Sequence, residues 1–111
     1  MKREIAIEDW NAEGELLFGK DKKNWRFICP CCKHEASIQD WFDLGAKPGE
    51  VAFSCVGRRI KGSKQAFDES GQGPCTYAGG GLFRLNPIVV IDSEGRKSEL
   101  FAFAQSKDSE N

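Results

Sequence analysis

Five cysteines and a single histidine are the residues of this chain best suited to chemistry. Three of the cysteines and the histidine share one run, Phe27-Ile28-Cys29-Pro30-Cys31-Cys32-Lys33-His34, while Cys55 and Cys75 stand alone. Two residues separate Cys29 from Cys32, the first of them proline. That spacing lets a tight turn aim two sulfurs at one point, where backbone N–H groups can hydrogen-bond the thiolates. Zn²⁺ takes four soft or borderline ligands in a tetrahedron, so such a turn needs two further thiolates from elsewhere. Cys55 and Cys75 can supply them. The spacing therefore predicts a structural Zn²⁺ on Cys29, Cys32, Cys55 and Cys75, with Cys31 turned away. A second arrangement replaces one distant ligand by His34, but three ligands within six residues would tie the remaining chain poorly. The alternative to any metal is a set of free, buried cysteines acting as small apolar residues.

Catalytic zinc needs an open coordination position and a nearby acid or base. The deaminase pattern His-x-Glu…Pro-Cys-x-x-Cys is not met, because Glu35 follows His34 directly and Pro30 lies inside the cysteine pair. A redox reading of Cys29 and Cys32 would want a thioredoxin-like βαβ pattern around them, which the sequence lacks. The expectation is a site that holds structure and is not catalytic.

The elements that must position these thiols are short. Residues 15–19 (Glu-Leu-Leu-Phe-Gly) and 25–29 (Trp-Arg-Phe-Ile-Cys) read as strands around a polar turn, which predicts an antiparallel hairpin. Ser37-Ile38-Gln39-Asp40 has the form of a capping box with Asp in place of Glu. Ile38, Trp41 and Phe42 then share a face and Gly45 suits the stop, predicting one short helix over about 37–44. Residues 51–55 alternate as a strand delivering Cys55. Residues 56–81 are glycine-rich and poor in large apolar side chains, so they predict loop. A tight bend at Gly79-Gly80-Gly81 would enter a strand at 82–85. The strongest strand patterns are 88–91 and 100–103, joined by a turn with Gly95 at a left-handed position. The fold class expected is a β-rich small α+β domain of antiparallel hairpins with one short helix, spanning 1–104, with a disordered tail at 105–111.

The chain has 111 residues, 40% hydrophobic and 30% charged, with twelve glycines. That is enough for one domain with a modest core, which a metal cross-link would reinforce. No apolar stretch approaches the roughly 20 residues of a membrane helix. The N-terminus carries acids where a signal peptide needs an apolar run. A cytoplasmic protein with reduced thiols is the expectation, which favours metal ligation over disulfides. The formal net charge of −1 is unevenly spread. Residues 1–15 carry two basic and five acidic side chains, net −3; residues 16–64 carry ten and five, net +5. Residues 92–111 carry three basic and five acidic side chains, net −2. A basic middle between acidic ends permits an anionic partner without demanding one.

At Phe27-Ile28-Cys29-Pro30-Cys31-Cys32 and Phe53-Ser54-Cys55 the chain resembles a zinc ribbon, in which strands carry ligand-bearing knuckles around one zinc. Its second half departs from that pattern: no cysteine lies three residues beyond Cys55, and 19 residues separate it from Cys75. Asp40-Trp41-Phe42, Gly57-Arg58-Arg59 and Gly79-Gly80-Gly81-Leu82-Phe83-Arg84-Leu85-Asn86-Pro87 look like parts of small bacteriophage and prophage proteins. That likeness implies a context and no activity.

Arg58, Arg59, Lys61 and Lys64 form a cationic run uninterrupted by an acid, with Ser63 among them, and could meet phosphates. The plain alternative is a solvated loop. Lys20, Lys22, Lys23 and Arg26 gather near Trp25, which could stack a base but as a rule packs in a core. The sequence thus points to a zinc-binding nucleic-acid-associated module. The competing class is a regulator or inhibitor that binds a host protein, with Trp10 or Trp41 as its apolar anchor. Near-neutral net charge favours that competitor, since dedicated DNA binders are usually more basic.

Overall fold

The computed structural model describes residues 2–68 and 73–106. Two three-stranded sheets form a β-rich α+β fold, with one main helix, one short helix and several 3-10 turns. The chain enters as β1 (Arg3–Ala6) and passes directly into α1 (Ile7–Phe18). Glu8 and Asp9 sit in the first turn of α1, where acids complement the helix dipole. Gly19, at φ 90°, ends the helix and donates its N–H to the Glu15 carbonyl at 2.8 Å.

This corrects the strand expected at 15–19. Glu15, Leu16, Leu17 and Phe18 are the last turn of α1. Leu17 and Phe18 continue the core-facing stripe begun by Trp10, whereas Leu16 is 86% exposed. Gly14 lets the helix close on Trp25: a Cβ there would lie 2.5 Å from the indole.

The hairpin expected between 15–19 and 25–29 is therefore absent. Instead β2 (Arg26–Ile28) pairs antiparallel with β3 (Glu35–Ser37) on the far side of the cysteine run, in the register Phe27↔Ala36. Helix α2 (Ile38–Asp43) follows with the expected capping box: Ser37 Oγ accepts from Asp40 N at 3.1 Å, and an Asp40 carboxylate oxygen accepts from Ser37 N at 2.9 Å.

Residues 51–55 are not a strand. Pro48–Glu50 form a 3-10 turn, Phe53 and Ser54 N–H groups both return to the Glu50 carbonyl, and Ala52 adopts φ 55°. The apolar alternation there comes from a coiled turn that buries Ala52 and Ser54. Residues 82–85 also lie outside any strand, and Leu82 and Phe83 are exposed.

β4 (Ile88–Ile91) is the centre of the first sheet, parallel to β1 and antiparallel to β5 (Lys97–Leu100). The turn between them has Gly95 at φ 82°, as expected. The strand expected at 100–103 is split between the sheets. Leu100 closes β5, the Phe101 N–H turns to the Ala52 carbonyl at 2.7 Å, and β6 (Ala102–Phe103) pairs with β2. Phe101 is 1% exposed between the two sheets, so the crossover is itself core. Of the tail expected at 105–111, residues 107–111 lie outside the described part; Ser106 is buried, its hydroxyl donating to the Phe103 carbonyl at 2.7 Å.

An aromatic cluster joins α1 to the second sheet. Phe103 stacks on Phe27 at 5.0 Å and on Trp10 at 5.3 Å, and meets Trp25 edge-on at 5.6 Å. Among the described residues, no helix is long and apolar enough to cross a membrane.

Candidate metal centre

The turn between β2 and β3 is the cysteine knuckle. The Cys29 N–H donates to the His34 carbonyl at 3.0 Å and the Lys33 N–H to the Cys29 carbonyl at 2.9 Å. Lys33 takes φ 67°, which lets the chain reverse within five residues. Cys29 thereby stays on the buried end of β2 while Cys32 projects from the turn toward the same point.

Cys55 follows the coiled turn at 48–54 and is fixed by its N–H to the Tyr77 carbonyl at 3.0 Å. Cys75 is paired through an isolated parallel bridge to Lys64. The four sulfurs of Cys29, Cys32, Cys55 and Cys75 all lie within 4.8 Å of one another. Cys32 and Cys55 are 3.7 Å apart. A tetrahedral zinc with bonds of about 2.3 Å sets its sulfurs about 3.8 Å apart, so a small contraction completes the site. These four thiols can hold a metal ion.

Close packing makes that convergence possible. A Cβ at Gly57 would meet the Cys75 carbonyl oxygen at 2.1 Å, and one at Gly73 would meet the Cys32 sulfur at 2.3 Å. Backbone donors already face the thiols: Cys75 N–H lies 3.4 Å from the Cys55 sulfur, and Tyr77 N–H lies 3.4 Å from the Cys75 sulfur. Cys29, Cys55 and Cys75 are buried and Cys32 is partly exposed. The Cys32 thiol is driven down to about 2, first by hydrogen bonding from Cys29 and then from Cys55. Cys29 is pushed up chiefly by hydrogen bonding with Cys32, and burial pushes Cys75 up to about 12. Four thiols this crowded are an arrangement a cation relieves, because ligation holds every sulfur deprotonated.

Cys31 lies outside the cluster and accepts the Phe67 N–H at 3.3 Å. His34 is not among the clustered ligand atoms either; it lines a shallow hollow with Cys32 and Gly73.

The cationic run is only partly available. Arg59 is committed to the Glu50 carboxylate, with its Nε at 2.9 Å, and this holds the Glu50 carboxyl below the usual carboxylate range. Arg58 reaches the Thr76 carbonyl at 3.5 Å, Lys64 donates to the Asp68 carbonyl, and Lys61 is exposed. Trp25 is 0% exposed and its indole N–H is bound to the Gly19 carbonyl at 2.8 Å, so it is a core residue. Trp41 is equally buried, donating to the Ser54 carbonyl at 2.9 Å, and Trp10 is stacked in the aromatic cluster.

Sequence reasoning missed Tyr77 and Asn86. The buried Tyr77 hydroxyl accepts the Leu85 N–H at 2.8 Å, fixing the loop between them. The Asn86 amide, fully buried, donates to the Phe53 and Glu99 carbonyls. Gly79 passes so close to Phe53 that a Cβ would lie 2.2 Å from its carbonyl oxygen, so the glycine run serves packing.

The VVA0879-like family model matches residues 6–104, and the chain belongs to that family. The matched stretch contains all five cysteines and the cationic run. No curated protein and no solved structure matches the chain.

Proposed function

We propose that this member of the VVA0879-like family is a non-catalytic nucleic-acid-binding module of the cytoplasm, with one domain over residues 1–104 organised by Zn²⁺. The observation that carries this reading is the convergence of Cys29, Cys32, Cys55 and Cys75 within 4.8 Å. Four thiolates match zinc's preference and leave no open position for a substrate, which supports a structural ion over a catalytic one.

The metal's role follows from what it ties. Between Cys55 and Cys75 lies the basic loop, pinned at both ends to the cluster and to the β2–β3 knuckle. Residues 56–74 carry four basic and two acidic side chains, net +2, so the loop between these two cysteines is basic and suits an anionic ligand. Lys61 supplies a phosphate contact there, and Arg58, Arg59 and Lys64 add theirs by exchanging Thr76, Glu50 and Asp68 for the ligand. A gel-shift titration at physiological salt tests this: a saturable shift at micromolar protein supports it, and no shift refutes it.

A second reading has its own observation. Leu82 is 90% exposed beside Phe83 and Leu85, an apolar patch of the kind that contacts proteins. On that reading the protein is a phage-encoded factor that occupies a host complex, anchored by Leu82 and not by Trp10 or Trp41. Retained partner binding in a Leu82→Ser variant would count against it.

A further inference from the structure

Resting on the nucleic-acid reading, we infer that the ligand is a single strand, with two of its bases stacked on Phe67 and Phe83. Stacking requires rings that solvent can reach. Trp25, whose ring lies beneath the Lys22 ammonium, is wholly buried. Phe67 and Phe83 are 55% and 59% exposed, and their rings meet edge to face at 5.5 Å. Two half-exposed rings set at 70° offer landing places for unpaired bases, whose π-faces a duplex keeps hidden.

The pair is held in place. Phe67 adopts φ 68°, a left-handed conformation that a bulky residue enters only when its surroundings impose it. Its N–H is bound to Cys31, so the knuckle that supplies two metal ligands also sets this ring. Phe67 further meets the buried Tyr77 edge-on at 6.5 Å, and Tyr77 fixes Leu85, two residues beyond Phe83. Strain kept at an exposed aromatic, and braced from two sides, points to use of that ring.

Cations flank the rings. Lys64 lines a hollow of about 390 Å³ with Phe67, Leu85 and Asp68, whose carbonyl it meets. Arg58 lines a separate hollow with Glu50 and Gly80, the latter three residues before Phe83 in the chain. Arg84 follows Phe83 directly; it pairs with Glu99 at 3.8 Å on the surface, its side chain 63% exposed. Aromatic faces among cations are the elements of a single-strand site, in which the cations track phosphates and the rings take bases in any order.

The test uses zinc-loaded full-length protein and fluorescence anisotropy with a labelled 12-nucleotide oligo-dT and a 12-base-pair duplex. The oligo-dT should bind at least tenfold more tightly than the duplex. Phe83→Ala should weaken oligo-dT binding about tenfold, the lower part of the range for one lost base–aromatic stack. Its melting temperature and zinc content should not change, since the ring is exposed. Phe83→Trp should keep the affinity and show indole fluorescence quenched by the oligonucleotide. Preference for the duplex, or undiminished binding by Phe83→Ala, would overturn the stacking site while leaving nucleic-acid binding intact. Saturable binding of neither probe would overturn both.

Discussion

Replacing Cys75 by serine tests the metal centre most directly. Cys75 is fully buried, its sulfur lies within 4.8 Å of the other three, and it is the ligand contributed farthest along the chain. A structural zinc site contributes about 10–16 kcal/mol of apparent binding free energy at neutral pH. Shared equally among four thiolates, one ligand accounts for about 2.5–4 kcal/mol, a loss on the order of 100- to 1,000-fold in zinc affinity. The net stability of a whole domain is only about 5–15 kcal/mol, so this loss also weakens the fold. For a domain near 100 residues it lowers the melting temperature by at least about 10 °C. The measurement is zinc per chain by elemental analysis after dialysis against a micromolar chelator, beside a thermal melt. Wild type should retain one equivalent and Cys75→Ser far less. Cys31→Ser should retain one equivalent, because Cys31 is turned to the Phe67 N–H. Full occupancy in Cys75→Ser, or loss in Cys31→Ser, would refute the ligand assignment.

Removing the zinc with a strong chelator should unfold at least residues 25–77, because at such a site binding free energy is folding free energy; an unchanged circular-dichroism spectrum and melt after verified metal removal would refute a structural role. Gly14→Ala gains about 1 kcal/mol of helix propensity but drives a methyl to 2.5 Å from the Trp25 ring. Overpacking costs of about 1–3 kcal/mol leave it destabilised, read as a lower melting temperature at unchanged zinc content. Glu50→Gln should release Arg59 and steepen the salt dependence of single-strand binding by about 0.7 in log–log slope, one phosphate contact's worth. The same pair makes a pH prediction: Arg59 depresses the Glu50 carboxyl, so its stabilisation is full above the unfolded carboxylate range and fades as pH falls through the depressed value. Acid titration of Glu50→Gln should lack that increment.

What could be read in advance depended on how local its causes were. The capping box at Ser37 and Asp40 closes within four residues, so side-chain type alone announces it. The cysteines were legible for another reason: tetrahedral thiolate coordination constrains residue type so strongly that Cys55 and Cys75 stood out despite the 19 residues between them. Helix α1 was hidden because Glu15-Leu16-Leu17-Phe18 fits either period, and the choice rests on Gly14 meeting Trp25, a contact sequence does not contain. The split of residues 100–103 between sheets has the same origin, since β5 and β6 differ only in which neighbour the chain finds.

Exposure was the hardest property to foresee, and it decides the functional reading. Trp25 beside Lys22 and Phe67 beside Lys64 look alike as sequence, an aromatic near cations. One is sealed beneath α1 and the other stands in solvent. Arg59 and Lys61 are likewise equivalent until the turn at 48–50 brings Glu50 to Arg59. A cationic run read from sequence therefore overstates the charge a ligand meets. The Phe67 backbone N–H on Cys31 joins these effects: the cysteine outside the cluster is the one through which the knuckle holds the backbone of an exposed aromatic. Cys31→Ser should consequently spare zinc content yet weaken oligo-dT binding, because a serine hydroxyl is shorter than a thiol and draws the Phe67 amide out of position. Equal affinity in that variant would show that φ 68° at Phe67 is imposed by its own loop and not by the knuckle.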